Sequence, residues 1–489
     1  MEMNMSEKMN RREFFRIAGL TSAAAVASTT GLAGCTPKKE GGDETVMGGL
    51  VNFSKEVDVL IVGSGAAGLW CAYQTVNAGL KTLILEKEAS FGGDSLLACA
   101  CLPILGTKPL QDAGIASPTP EEAYEKYYEN LFSKRRVPEL GKHILINSAK
   151  CIDIWTEKFG IKWMPFLPGA TQYFHVPQPG LGTDYLLINP LFEDVTKTGA
   201  EVLFETKAVN FIVDSENKAV GLRAMDLRSL KPVDIKARAI VITSGDFVSN
   251  QEMIARYLPA WGRMVCNTYT SMGQGIELCL PIGATLERMD EPANFTAENP
   301  VIVVWGFYEP VLHVLPNGKR FCDESIGHSV AGKCVEAGFQ EWYCIYDDEI
   351  ANGYHSYSIN NIAKLGLVKK ADTIEDLAAQ INIPAAELSA TLARFNELCE
   401  AGEDKDFGRK SFLRPLKPPF YAAYTRPVRY KTYGGLRINV DCQLIDSNDQ
   451  PIPNVYAAGS VTGSATPNIP DVCGLGMHAG DVIVKNLKS

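Results

Sequence analysis

"VDVLIVGSGAAGLWCAYQTVNAGLKTLILEKE", Val57–Glu88, carries the strongest structural pattern in the chain. Val57–Val62 is a largely apolar run, the pattern of a strand buried on both faces. Gly63, Gly65 and Gly68 follow as G-x-G-x-x-G, interleaved with Ser64, Ala66 and Ala67. A helix pattern runs on to about Asn77, and Gly79 stops it. A second strand, Thr82–Leu85, ends on Glu86 and Lys87. The glycines permit a tight turn and let a pyrophosphate approach the helix N-terminus, where free N–H groups point at the anion. Glu86 is placed to accept hydrogen bonds from an adenosine ribose. The glycines alone are a weak signal, but strand, glycines, helix, strand and acid in register are a strong one. The expectation is an α/β chain built on a Rossmann-like dinucleotide-binding domain.

FAD and NAD both use this unit, and the flanking sequence favours FAD. "FGGDSLLACA", Phe91–Ala100, supplies Gly92, Gly93, Asp94 and Ser95 where a flavin's phosphates and ribityl chain would run. "NVYAAGSVTG", Asn454–Gly463, reads as a short strand ending on small residues, Gly459 and Ser460 among them. "GLGMHAG", Gly474–Gly480, lacks a preceding buried strand. It reads as the start of a last helix, Met477–Leu487, and not as a second dinucleotide site.

The N-terminus reads as an address. Arg11-Arg12 precede Phe14-Phe15, an Ala-, Ser- and Thr-rich run follows, and it closes on Leu32-Ala33-Gly34-Cys35. That is an export signal of the twin-arginine type with a lipobox-like end, leaving Cys35 as the lipid anchor. The run is too short and polar for a good membrane span. Residues 35–54 read as a Gly- and charge-rich linker. Removing residues 1–34 takes away four basic and three acidic residues, leaving 43 against 54, a balance of −11. That balance argues against a nucleic-acid or anionic-lipid surface partner. About 450 folded residues exceed one ordinary core, so two domains are expected. Of the 13 cysteines none falls in C-x-x-C or C-x-x-C-H, which excludes a c-type haem. Standard iron–sulfur spacings are missing too, no metal site is expected, and most cysteines read as small buried apolar residues. Disulfide pairing is unreadable.

The chain resembles the flavoprotein family that includes soluble fumarate reductases, urocanate reductases and 3-ketosteroid dehydrogenases. The resemblance covers nearly the whole mature sequence. It rests on "VGSGAAGL", "GGDS", "ARAIVITSGDFVSN" (Ala237–Asn250), "SMGQGIELCLPIGATL" (Ser271–Leu286), "GKRFCDES", "PPFYAA" (Pro418–Ala423), "TYGGL" (Thr432–Leu436) and "VYAAGSVTG", in the family's order. It implies a flavin domain over 55–288, an inserted α+β capping domain over 289–430, and a return to the flavin domain over 431–489. It implies FAD, with hydride transfer at the flavin, and it adds Val209, Ser244, Gly245, Gly275, Gly434, Gly474 and Leu475 to the cofactor cradle. The last helix would point its N-terminus at the flavin's pyrimidine end, which stabilises negative charge there. No histidine stands in "GGDSLLACA", so the flavin is expected to be noncovalent. In the cap, Asp372 reads as the cap of a helix opening "TIEDLAAQI". Leu388, Leu392, Phe395 and Cys399 form a helical core stripe.

The fumarate pattern breaks in the substrate clamp. The family's active-site arginine, a few residues after the glutamate of "GKRFCDES", falls on His328, the residue before T-x-G-G-L is Lys431, and Ser460 stands where many members carry an acid. Losing several cations makes a small dicarboxylate a poor substrate, because its charges would lack fixed partners. Lys431, Arg429 and Arg426 leave one cationic patch, so a single carboxylate stays open. Candidates for substrate protonation and binding are His328, Lys431, Tyr430 and Tyr433, with Glu324 tuning the histidine; packing or solvated roles compete for the tyrosines and the lysine, and a plain polar role in a helix's first turn competes for His328. A helix is expected from Ser325, and His313 before "VLPNGKRF", a probable hairpin, reads as structural. The expected activity is reduction of an activated C=C bond in an enone or unsaturated acid. A separate cytochrome or flavoprotein would supply electrons at an extracytoplasmic membrane face. The alternatives are a 3-ketosteroid-type dehydrogenase and a non-catalytic flavin relay lipoprotein.

Overall fold

A computed structural model describes residues 51–128, 137–168, 173–262, 264–291, 296–297, 309–326, 329–464 and 468–489. The signal, Cys35 and most of the expected linker lie outside the described residues, as does His328.

Strand β1 (Phe53–Val62) begins two residues inside the expected linker, because Phe53 already pairs with Asp234. Its last four residues are almost wholly buried, as a strand covered on both faces requires. The turn at Gly63 leads into helix α1 (Ala66–Asn77), and β2 (Thr82–Leu85) returns beside β1 in parallel. Helices α2 (Pro138–Glu157) and α3 (Tyr185–Thr198) precede β3 (Glu201–Leu203). The meander β4 (Thr206–Val213), β5 (Ala219–Asp226) and β6 (Lys231–Ile242) is antiparallel, and β6 then pairs with β1 in parallel.

A second apolar core forms around an antiparallel sheet of β7 (Leu312–Val314), β8 (Trp342–Asp347), β9 (Val368–Ala371) and β10 (Phe420–Thr425), in the order β7-β8-β10-β9. Helices α4 (Ile374–Gln380) and α5 (Ala385–Glu400) pack on it. Leu388, Leu392, Phe395 and Cys399 are buried in one stripe of α5, as the helical period dictates. Thr373, not Asp372, caps α4: its side chain accepts the Asp376 N–H at 3.1 Å. The helix starts one residue later than expected, and the hydroxyl at the extended position takes the role.

The chain then returns through β11 (Gln443–Ile445) and β12 (Pro451–Ala457) to the last helix, α6 (Ile469–Lys488). The main sheet runs β11-β12-β6-β1-β2-β3, with β5 also on β6 and β4 on β5. β12, β6, β1, β2 and β3 are mutually parallel.

α6 corrects the reading of "GLGMHAG". The helix begins at Ile469, eight residues before the expected Met477, with Pro470 in its first turn. Its glycines lie inside the helix and let neighbours touch its backbone. A Cβ on Gly474 would meet the Ile144 carbonyl of α2 at 2.3 Å, one on Gly476 the Ala67 carbonyl at 2.3 Å, and one on Gly480 Gln74 at 2.7 Å. They are seats for α1 and α2, not an approach to a cofactor.

Candidate active site

Parallel pairing aligns the carboxyl ends of four strands. Val62 is opposite Leu85 on one side and Ile242 on the other, and Ala457 is opposite Ile242. The loops 63–65, 86–88, 243–245 and 458–460 therefore open at one edge. Connections diverge on either side of β1, and such a crevice is where open parallel sheets bind ligands.

Gly63 turns there with φ +106°, and a Cβ on it would press the Thr243 carbonyl at 2.7 Å. Gly68 packs α1 against the turn, since its Cβ would lie 2.1 Å from the Gly63 carbonyl. Glu86 is buried and accepts the Ser64 N–H at 3.0 Å, the Ser64 hydroxyl at 2.5 Å and the Glu88 N–H at 2.9 Å. It holds the glycine turn from beneath as well as facing the cavity. Ser95 Oγ accepts the Ala66 N–H at 3.0 Å, and Asp94 accepts the Ser271 hydroxyl at 2.6 Å, tying "GGDS" to the turn and to 270–271.

These loops line one cavity. Of the expected cradle, Gly63, Ser64, Gly65, Ala66, Ala67, Glu86, Lys87, Gly93, Asp94, Ser95, Ser244, Gly245, Gly275 and Ser460 line it. Val209 lines the adjoining cavity. Gly68, Gly434 and Gly459 stand behind the wall, where any side chain would collide with Gly63, Met289 and Ala67 respectively. Gly474 and Leu475 do not reach it. Both are buried within α6, whose residue at the cavity is Val472. The helix N-terminus lies five residues ahead of Gly474, so the end that favours negative charge is at Asn468–Asp471.

The residues fit a flavin dinucleotide. The glycine turn borders the cavity, and the Ser244 hydroxyl beside it is buried without a partner among the described residues. An unpaired buried hydroxyl is costly, and a ligand's polar chain relieves it.

The segment entering "TYGGL" carries the charged groups. Lys431 is 8 % exposed, so it is no solvated hinge lysine, and its amine donates to Asn468 Oδ1. Burial pulls its pKa down to about 8, against the opposing pull of Asp471, Cys99 and Asp246. Asp246 is buried too and accepts the Val248 N–H at 2.9 Å and the Thr432 N–H at 3.0 Å, and burial pushes it up to about 7. Tyr430 donates to the Leu97 carbonyl at 3.1 Å. Tyr433 is half-buried beneath the Arg288 guanidinium, 5.0 Å above its ring.

Glu324 does not join this group. It is fully buried in the second unit and accepts from Arg320 at 2.8 Å and Arg409 at 3.1 Å, while Arg320 also holds Asp404. Burial opposes its charge, yet the two guanidiniums hold it below the ordinary carboxylate range. It fixes the "GKRF" hairpin, in which Val314 bridges Arg320, and it accepts the His313 N–H at 3.3 Å. The helix expected from Ser325 starts at Ser329, after a 3-10 turn over Glu324–Ile326.

Two groups escaped the sequence reading. Asp246 stood in the quoted "SGDFVSN", where an acid among small residues after a buried strand is the only signal. Asp184 is buried, accepts the Ala100 N–H at 2.8 Å and is pushed up to about 7 by burial. Nothing local marks it. Among the described residues no group of His, Cys, Asp and Glu could hold a metal, no helix is long and apolar enough to cross a membrane, and the twelve cysteines are free thiols.

Fold and site together define a dinucleotide-binding flavoprotein with a second, smaller core beside the cofactor crevice. The FAD binding domain family matches residues 58–476, and the chain belongs to that family. FAD is its cofactor, and the chain is a fumarate reductase-like FAD-dependent oxidoreductase. It is similar to the NADH:fumarate oxidoreductase of Klebsiella pneumoniae (strain 342), 28% identical over 447 residues, covering 88% of this chain but only 46% of that protein. It is also similar to the urocanate reductase of Eggerthella lenta, 26% identical over 469 residues, covering 91% of this chain and 76% of that one. The open conformation of a flavocytochrome c3 fumarate reductase shares the fold, with a TM-score of 0.71 over 89% of this chain and 79% of that one at 23% identity.

Proposed function

We propose that this protein reduces an activated carbon–carbon double bond, in an enone or an unsaturated acid other than fumarate. The observation that carries the reading is the buried Lys431 amine beside the flavin crevice, held by a neutral amide and facing Asp246 and Asp471. When bound and reduced by the electron donor, the flavin would supply the hydride for one alkene carbon and be left as oxidised FAD. The protein's share is to hold the substrate, keep water out and place a proton on the other carbon. With a pKa of about 8, Lys431 is protonated at neutral pH and presents a positive charge to the group that activates the alkene. Residues 289–430 act as the cap. His328 is assigned as proton donor from its register after "GKRF", where general acid catalysis contributes about a hundred- to ten-thousand-fold. The retention of a flavin cradle with a rebuilt cationic segment is what supports a reductase over a bare electron relay.

The flavin is held noncovalently. The chain is exported by its Arg11-Arg12 signal and anchored through lipid on Cys35, and a separate redox protein feeds it electrons. The test of the activity is anaerobic turnover of a panel of enones and unsaturated acids with reduced viologen. Turnover of one panel member with a kcat that collapses in His328→Ala is expected. No oxidation of viologen by any alkene would return the protein to the electron-relay reading.

A further inference from the structure

Two residues before Lys431, Arg429 is 4 % exposed and has no acidic partner among the described residues. Among the described residues its side-chain hydrogen bond runs from Nη2 to the neutral Gln251 Oε1 at 3.0 Å, and Nε and Nη1 are buried without an acceptor there. Among the described residues, three other guanidiniums packed into the fold meet carboxylates. Arg320 and Arg409 share Glu324, and Arg223 is clamped on Asp234 at 2.6 and 2.8 Å. Burial pulls the Arg429 guanidinium below its ordinary pKa, and only the Cys266 thiol acts in the other direction. A buried cation with vacant donors and no counter-charge is unfavourable until an anion arrives.

The surroundings are those of a small polar niche. Ser249 Oγ lies 2.8 Å from Thr268 Oγ1 and 3.5 Å from Cys266 Sγ, and Cys266 pairs with the Arg429 backbone. The two loops that wall the flavin cavity run on into it: 244–245 continue to 249–251, and 270–272 continue from 266–268. The third wall is the segment that carries Lys431. At its edge Val265 and Tyr269 expose apolar surface.

We propose that Arg429 is the receptor for a carboxylate on the substrate, so that the protein takes unsaturated monocarboxylic acids in preference to neutral enones. Calling that carboxylate the substrate's rests on the reductase reading; the binding itself does not. Guanidinium donors match carboxylate oxygens in geometry and charge, and Arg429 adds this fork to the point charge of Lys431.

The test is equilibrium binding to the FAD-loaded protein, read by perturbation of the flavin absorbance and by thermal shift. The probes are saturated acids that cannot turn over, propanoate and 3-phenylpropanoate, each against its own amide. The wild type is expected to bind at least one acid tenfold or more tightly than its amide, and Arg429→Gln is expected to abolish that preference. Arg429→Lys, which keeps the charge but not the fork, should retain part of it and guards against misfolding of the glutamine variant. Equal binding of acids and amides by the wild type overturns the proposal, as does a full preference surviving in Arg429→Gln or, should that variant not fold, undiminished in Arg429→Lys. Acid preference lost in Arg429→Gln, together with no alkene turnover, would sink the reductase reading and leave the carboxylate site standing.

Discussion

At the scale of single residues, the chemistry rests on where charge is buried and what stands opposite it. Lys431 is pulled down to about 8 by burial, so its charge is present at neutral pH and fades as pH rises through that value. Substrate KM should therefore climb above pH 8 in the wild type. Lys431→Ala should raise KM more than it lowers kcat, as loss of uniform binding does. Steady-state kinetics across pH 6 to 9 check both, and an unchanged KM in the variant would remove Lys431 from the substrate site. Glu324 is the opposite case, an acid used for structure. Removing one member of a buried ion pair costs about 3–5 kcal/mol, so Glu324→Gln should unfold at markedly lower denaturant without altering the flavin spectrum. Its folded pKa lies below the unfolded value. The stability it contributes is thus present above the ordinary carboxylate range and is lost as pH falls through the depressed value.

At the scale of elements, the glycines of α6 show how one spacing serves two purposes. G-x-G-x-x-x-G in a helix brings backbones together, while G-x-G-x-x-G after a strand opens a turn for phosphate, and only the preceding element separates them. Gly474→Val should force α6 from α2, since its Cβ position is 2.3 Å from the Ile144 carbonyl and 2.4 Å from Ser148 Oγ. Overpacking of this kind costs about 1–3 kcal/mol, readable as a lower Tm with the flavin still bound. Asp184 at the start of α3 offers a test by pH. Its folded pKa of about 7 is above the unfolded carboxylate value, so the folded state binds more protons than the unfolded one. Its contribution is complete below the unfolded pKa and is lost as pH rises through 7, at about 1.4 kcal/mol per pH unit at most. Asp184→Asn can still accept from the Ala100 N–H and should flatten that loss. A variant with the wild-type slope of Tm between pH 5 and 7.5 would contradict the assignment.

At the scale of the molecule, the noncovalent flavin and the exported anchor are the properties to measure. Acid precipitation should leave a yellow supernatant, and flavin kept in the pellet would refute noncovalent binding. Cys35→Ala should shift the protein from the membrane fraction to the soluble fraction, and replacing Arg11 and Arg12 by lysine should hold it in the cytoplasm. Immunoblots of cell fractions decide both.

The local half of the site was legible in the sequence. β1, the glycine turn, α1, β2 and Glu86 form one contiguous unit whose spacing is fixed by strand and helix geometry, and α1 and β2 fall on the expected residues. Cofactor chemistry follows from that unit, because a phosphate cradle is made of consecutive backbone N–H groups. The hairpin at Gly318 and the stripe on α5 were readable for the same reason: their patterns close within a few residues. The rest depends on partners distant in the chain, which meet only on folding. Nothing near Glu324 in sequence announces Arg409, 85 residues away. Nothing near Arg429 announces that its guanidinium meets Gln251, 178 residues away. Whether a charge is a solvated lysine, a structural ion pair or a receptor waiting for an anion depends on desolvation and on the sign of what faces it, and both are properties of the packed chain.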